Sequence, residues 1–269
     1  MKRTTIDLLR CPTCHAKLSL REEQSKDGIE QAALICSSCG ACFPIEKGIP
    51  KFVCMKELSG LNRHFARLYD IFSYIYAPVT RSAFFFLGGE EKARRDVLDR
   101  LDSVGGRILE VSIGTGSNLP FLLDTQQAIE IFGLDISLGQ LQRCLGYCRR
   151  HGWAVELFQG TAEALPFVDG SFDAVLHVGG INFFSDKQKA IDEMIRVARP
   201  GARIVVADES ERGARAYERF LPGFLKIFQG KREPVVAPVD LVPSEMKDVR
   251  TIAIWRGMGY CLEFRKPPR

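Results

Sequence analysis

From Gly106 onward the chain alternates short, β-branched apolar runs with stretches of helical spacing. The runs cover residues 107–112, 131–136, 153–159, 174–178 and 203–208, and residues 186–197 between the last two read as a helix. Strands alternating with helices build a parallel sheet, so the fold class is α/β. Residues 198–201, Ala-Arg-Pro-Gly, stop that helix. The closing runs, residues 249–255 and 260–264, flank Gly257-Met-Gly259 and read as a terminal hairpin.

Two further zones precede this pattern, giving a division into residues 1–54, 55–104 and 105–269. The first holds Cys11-Pro-Thr-Cys14 and Cys36-Ser-Ser-Cys39, among nine cysteines in all. Residues 17–20 and 32–35 between the pairs read as strands joined by a turn at Asp27-Gly28. Such a hairpin brings the pairs together, and four thiolates suit the tetrahedral preference of Zn²⁺. Cys11, Cys14, Cys36 and Cys39 are therefore the expected ligands of a closed structural site, with His15, Cys42 and Cys54 as spare candidates. Redox dithiols are the competing reading. Gly40 suits a tight knuckle. A module of this size gains folding energy from the metal.

In the second zone Leu61, Phe65, Leu68, Phe72, Ile75 and Tyr76 recur at helical spacing, as do Ala93, Val97, Leu98 and Leu101. These stretches either cover a substrate cavity, with His64, Tyr69, Tyr74 and Tyr76 as polar contacts, or simply pack on the sheet. The apolar content of 46% suits a globular core, and the net charge of +4 permits an RNA partner without arguing for one. The opening residues lack the apolar stretch of a secretory signal, and residues 71–87 are interrupted by Pro78, Thr80 and Arg81. A cytoplasmic chain with no membrane span is the expectation.

The chemistry is expected at the strand ends. After the run ending at Ser112 comes Ile113-Gly-Thr-Gly116, and a helix is expected from about Asn118. Glycines there let a ligand approach the backbone at the carboxyl end of a parallel strand. The dinucleotide fingerprint GxGxxG is incomplete, because only Gly114 and Gly116 are present. About 20 residues on, Asp135 ends the second strand, where a carboxylate accepts ribose hydroxyls or caps the following helix.

Two resemblances sharpen this reading. Cys11-Pro-Thr-Cys14 together with the run from Leu34 to Pro50 resembles the Trm112-like zinc ribbon, with Phe43 where tyrosine is usual. Relatives of that ribbon activate methyltransferases as partners or stand fused in front of them. The run Gly160-Thr-Ala-Glu-Ala-Leu-Pro-Phe167, followed by Val-Asp-Gly-Ser-Phe-Asp-Ala-Val-Leu-His177, resembles S-adenosylmethionine (SAM) dependent methyltransferases, the quinone C-methyltransferases in particular. The resemblance spans residues 90–267 and implies a Rossmann-like core with a seven-stranded, mostly parallel sheet. Ser112 stands for that family's first turn glycine and Thr161 for its usual aspartate.

The resemblance implies roles for particular positions. Glu110, Ser112, Gly114 and Gly116 shape the methionine and ribose side of SAM. Asp135 holds the ribose, Ile136 lies against the adenine, and Thr161 and Ala162 edge it. His177 and Asn182 face the transferring methyl group, His177 as a proton-transfer candidate or as a histidine satisfied within the protein. The implied cofactors are SAM and Zn²⁺, and the expected acceptor is a small lipophilic or aromatic molecule. An rRNA base methyltransferase of the guanine-N1 kind and a catalytically silent, partner-activating scaffold are the alternatives.

Overall fold

The paired cysteines close a small antiparallel sheet, β1 (Leu18–Gln24), β2 (Glu30–Cys36), β3 (Cys42–Glu46) and β4 (Ile49–Pro50), in that spatial order. The computed structural model describes residues 2–24, 30–53, 88–102, 105–124, 128–220 and 234–268. The turn expected at Asp27-Gly28, most of the helical zone with its polar candidates His64, Tyr69, Tyr74 and Tyr76, and Cys54 lie outside the described residues. Among the described residues no helix is long and apolar enough to cross a membrane.

The large sheet contains β5 (Gly106–Val111), β6 (Ile129–Asp135), β7 (Val155–Gln159), β8 (Phe172–Val178), β9 (Ala198–Glu209), β10 (Lys247–Ile254) and β11 (Gly259–Arg265). Its spatial order is β7-β6-β5-β8-β9-β11-β10. β5 to β9 run parallel, while β11 lies antiparallel to both β9 and β10. The order reverses between β5 and β8, which is where open α/β sheets bind ligands. β9 starts at Ala198, earlier than the Ala-Arg-Pro-Gly stop suggested. Its pairing with β8 jumps from Phe172↔Ala198 to Ala174↔Arg203, so Pro200 sits in an irregular stretch where no ladder bond needs its missing N–H.

The helices are α1 (Glu90–Leu98), α2 (Leu119–Leu122), α3 (Leu138–His151), α4 (Lys187–Val197) and α5 (Glu211–Phe220). Side-chain alternation along the strands separates two apolar faces. Val205 and Ala207 of β9 pack with Val97 of α1, Leu119 of α2 and Leu141 of α3. Ile204 and Val206 pack on the other face with Ile191 and Met194 of α4. α1 is thus a core layer, and the Trp255 indole N–H fastens it to the terminal hairpin by a 2.9 Å bond to the Ala93 carbonyl.

Over β6 and β7 that second face has no covering helix, because the β7–β8 crossover contains none. The zinc ribbon covers it instead. Leu9, Leu34, Phe43 and Phe52 join Phe132, Phe158, Phe167 and Phe172 in one buried cluster. Backbone bonds fix the seating on both sides of the crossover: Phe52 N–H to the Gln159 carbonyl (2.8 Å), Arg10 N–H to the Pro166 carbonyl (3.0 Å) and Val168 N–H to the Leu8 carbonyl (2.9 Å). Phe167 is fully buried, edge-on to Phe158 and Phe172 at 5.1 and 5.0 Å. Replacing Phe167 by alanine is expected to destabilise the chain by about 3–5 kcal/mol, measured by denaturant unfolding at fixed zinc. A loss below about 1 kcal/mol would contradict this packing.

Candidate active site

Cys11 and Cys36 each open a four-residue knuckle whose fifth residue turns left-handed, His15 (φ 57°) after the first pair and Gly40 (φ 71°) after the second. Both knuckles repeat the same bonds: His15 N–H to Cys11 O and Gly40 N–H to Cys36 O, then Cys11 N–H to Ala16 O and Cys36 N–H to Ala41 O. The four sulfurs lie within 4.8 Å of one another, with Cys14–Cys36 at 3.4 Å and Cys11–Cys39 at 3.7 Å. A tetrahedron with Zn–S of about 2.3 Å has edges of about 3.8 Å, so the donor set fits zinc. The Cys39 backbone N–H at 3.5 Å favours the Cys36 thiolate and lowers its pKa to about 6. His15 and Cys42 stand outside this cluster. His15 instead serves the first knuckle as Gly40 serves the second. One zinc per chain is expected by elemental analysis. Cys14→Ser should lose it, whereas Cys42→Ser and His15→Gly should retain it; zinc loss in either of the last two would overturn this ligand set.

The other polar centre lies along the carboxyl edge of the large sheet. Each of the five parallel strands carries one buried polar side chain at or near its carboxyl end: Glu110, Asp135, Gln159, His177 and Asp208, none more than 7% exposed. Between β5 and α2 the chain turns through Ser112 (φ 61°), Gly114 and Gly116. Ser112 adopts a left-handed conformation that glycine takes without strain, so the substitution preserves the turn at a steric cost. Gly116 (φ 80°) has no room for a side chain, since a Cβ there would sit 2.7 Å from Leu119 and 2.8 Å from the Cys144 sulfur. The Gly114 N–H donates to Asp135 Oδ2 at 2.8 Å, and the Ser137 N–H donates to Asp135 Oδ1 at 2.8 Å. Asp135 therefore couples the glycine turn to β6. The helix cap is Ser137, whose hydroxyl accepts from Gln140 N–H.

The helix expected from Asn118 is a single turn, and the Asn118 side chain does not cap it. Instead its amide donates to Glu110 Oε1 at 2.6 Å and accepts from Arg94 at 3.0 Å. Burial pushes the Glu110 carboxyl up to about 7 against the opposing pull of Asn118 and Arg94, and Glu110 Oε2 is sealed without a partner. Among the described residues, Gln140 Oε1 and Gln159 Oε1 are likewise sealed and without a partner, as is His177 Nε2. Glu110, Gln140 and Gln159 present acceptors, so they fit a ligand that brings donors, as SAM does with its ammonium, ribose hydroxyls and adenine amine.

His177 is completely buried beside the Phe184 ring, with Nδ1 bonded to the Val111 carbonyl at 3.0 Å. Desolvation lowers its pKa to about 4. The imidazole is therefore neutral at physiological pH, with Nδ1 held by a partner inside the protein. Asn182 donates to Asp208 Oδ2 at 3.0 Å and accepts from Lys187 at 3.5 Å, so its amide ties the loop after β8 to the end of β9. Asp208 also accepts from the Gly180 and Glu209 N–H groups, and burial raises its pKa. Ile136 and Thr161 are half-buried, and Ala162 is buried beside Glu163, whose carboxylate accepts from the Ser185 and Asp186 N–H groups. Sequence reasoning did not assign Asn118, Gln140, Gln159, Asp208 or Arg94. The one signal available was a polar residue ending an apolar strand, as in Gln159 and Asp208.

The fold, the glycine turn and the acceptor-lined edge define a Rossmann-like SAM-dependent methyltransferase. The methyltransferase domain family matches residues 109–206, and the Trm112p-like protein family matches residues 2–48. The chain is 30% identical to a demethylmenaquinone methyltransferase of Beutenbergia cavernae over 218 residues, 76% of this chain and 85% of that one. It is 38% identical to a demethylmenaquinone methyltransferase of Renibacterium salmoninarum over 125 residues, 46% of this chain, and spans half of that relative's length. A Thermotoga maritima SAM-dependent methyltransferase, a possible histamine N-methyltransferase, shares the fold with a TM-score of 0.55 at 21% identity, covering 74% of this chain and 99% of that one. The chain belongs to the SAM-dependent methyltransferase family that includes these demethylmenaquinone enzymes, and it carries a Trm112-like zinc ribbon at its N-terminal end.

Proposed function

We propose that this chain transfers the methyl group of SAM to a small, lipophilic aromatic acceptor of the quinol type. The observation that supports this best is the set of sealed, unpaired acceptors along the carboxyl edge, read with the quinone-methylating relatives. In this reading SAM spans the ends of β5, β6 and β7. Glu110 Oε2 receives the ammonium, where a carboxylate compensates a buried cation. The Asp135 carboxylate at the end of β6, with Gln140 Oε1 near Gly114, accepts the ribose hydroxyls. Ile136 lies against the adenine, and Gln159, Thr161 and the Ala162 backbone edge it. Ser112, Gly114 and Gly116 keep the turn low enough for close approach.

Bound SAM supplies an electrophilic methyl on a cationic leaving group, so the protein mainly aligns the partners and excludes water. The acceptor then lies over β8, β9 and β11, beside His177 and the Asn182–Asp208 pair. No observation favours RNA over a small molecule, and the row of intact acceptors speaks for a working site rather than a silent scaffold.

Isothermal titration tests the cofactor half. Micromolar SAM binding is expected, lost or weakened at least about tenfold in Asp135→Ala. Pairing with the ammonium lowers the Glu110 pKa from about 7, so binding near pH 7 should release protons. The binding heat should then vary with buffer ionisation enthalpy in the wild type and not in Glu110→Gln. Absence of SAM binding to zinc-loaded protein would overturn the proposal.

A further inference from the structure

His177 spans the point where the strand order reverses. It lies on β8 in register with Val111 of β5, and its Nδ1 bonds to the Val111 carbonyl. A carbonyl can only accept, so the shared proton sits on Nδ1 and Nε2 presents a bare lone pair. That lone pair is sealed from solvent and has no partner among the described residues. An unsatisfied buried acceptor of this kind destabilises the folded chain, and a ligand donor offsets that cost. The polar edge groups at Glu110, Asp135 and Gln159 lie on β5, β6 and β7, whereas His177 lies on the opposite side of the glycine turn. Its strand neighbour is β9, which carries Asp208 one residue before its end, and Asp208 pairs in register with Tyr260 of β11. The Phe184 ring stands edge-on to the imidazole at 5.0 Å.

We propose that His177 is a specificity-determining residue whose Nε2 accepts a hydrogen bond from a phenolic or enolic hydroxyl of the methyl acceptor. This rests on the quinol-type reading above and deepens it. His177 recognises the reduced, hydroxyl-bearing form of an aromatic ring and discriminates against the oxidised quinone or an O-alkylated ring, neither of which has a proton to donate. It holds the hydroxyl without removing its proton, so it positions the ring against the methyl group. The hydroxyl makes its ring electron-rich at the neighbouring carbon; methyl transfer there breaks the S–CH3 bond and forms a C–C bond, S-adenosylhomocysteine leaves, and the proton of that carbon passes to water as the ring regains its aromaticity.

Binding of a dihydroxynaphthalene and of its dimethoxy counterpart to the full-length, zinc-loaded chain separates the possibilities. Both are titrated anaerobically with the cofactor site saturated by S-adenosylhomocysteine. The diol should bind the wild type at least about tenfold more tightly than the dimethoxy ring. His177→Leu should lose that ratio by weakening the diol alone, and His177→Gln, which restores an acceptor oxygen, should recover part of it. S-adenosylhomocysteine affinity should stay within about twofold in both variants, since the cofactor lies on the other side of the turn. An unchanged ratio in His177→Leu, or equal binding of both rings by the wild type, overturns the assignment and leaves the aromatic-acceptor reading standing. Failure of either ring to bind while S-adenosylhomocysteine binds overturns both. Loss of S-adenosylhomocysteine binding in both variants overturns the assignment by placing His177 on the cofactor side.

Discussion

Phe132, Phe158, Phe167 and Phe172 meet beneath a crossover that lacks a helix, and the zinc ribbon closes over them. In an open α/β sheet each face must be covered, because buried strands are apolar on both sides. Here the cover over β6 and β7 comes from a module whose own core is too small to hold without its metal. The seating is apolar at its centre and ladder-like at its edges, with backbone bonds to Gln159 before the crossover and to Pro166 and Val168 after it. The loop between them carries Thr161, Ala162 and Glu163, and Glu163 in turn holds the start of α4. Zinc, ribbon, the loop after β7 and the start of α4 thus form one mechanical chain.

The polar row at the carboxyl edge depends on that packing. Glu110, Gln159, His177 and Asp208 each sit at least nine-tenths out of water. Burial moves the ionisable members toward neutrality: Glu110 to about 7, His177 to about 4, and Asp208 upward. Second contacts then fix their orientation, Asn118 and Arg94 at Glu110, Val111 at His177, and Asn182 with Gly180 at Asp208. Each group is pre-oriented before a ligand arrives, which limits the ordering that binding requires.

Much of this was legible in the chain. The strand runs, the terminal hairpin, the four cysteines and the placing of Asp135 at the end of the second strand follow from local spacing, and the observed β5, β6 and β8 differ from the expected runs by two residues at most. The seating of the ribbon was not legible, because it joins Leu9 to Phe167 and Lys51 to Gln159 across more than a hundred residues. The state of His177 was hidden for the same reason, since its partner Val111 lies 66 residues away and the burial that suppresses its protonation comes from the folded sheet. Asn118 looked like a helix start. Its side chain was instead recruited by a buried carboxylate, and a charge without water outcompetes a cap.

The central claim is that the sealed acceptors along β5, β6 and β7 are the SAM site. A diffraction structure of the zinc-loaded chain with S-adenosylhomocysteine tests it most directly. The account predicts the ligand's ammonium on Glu110 Oε2, its ribose hydroxyls on Asp135, its adenine between Ile136 and the loop at Thr161 and Ala162, and its sulfur toward His177. A ligand seated elsewhere, or Glu110 and Asp135 still without contact to it, would contradict the account.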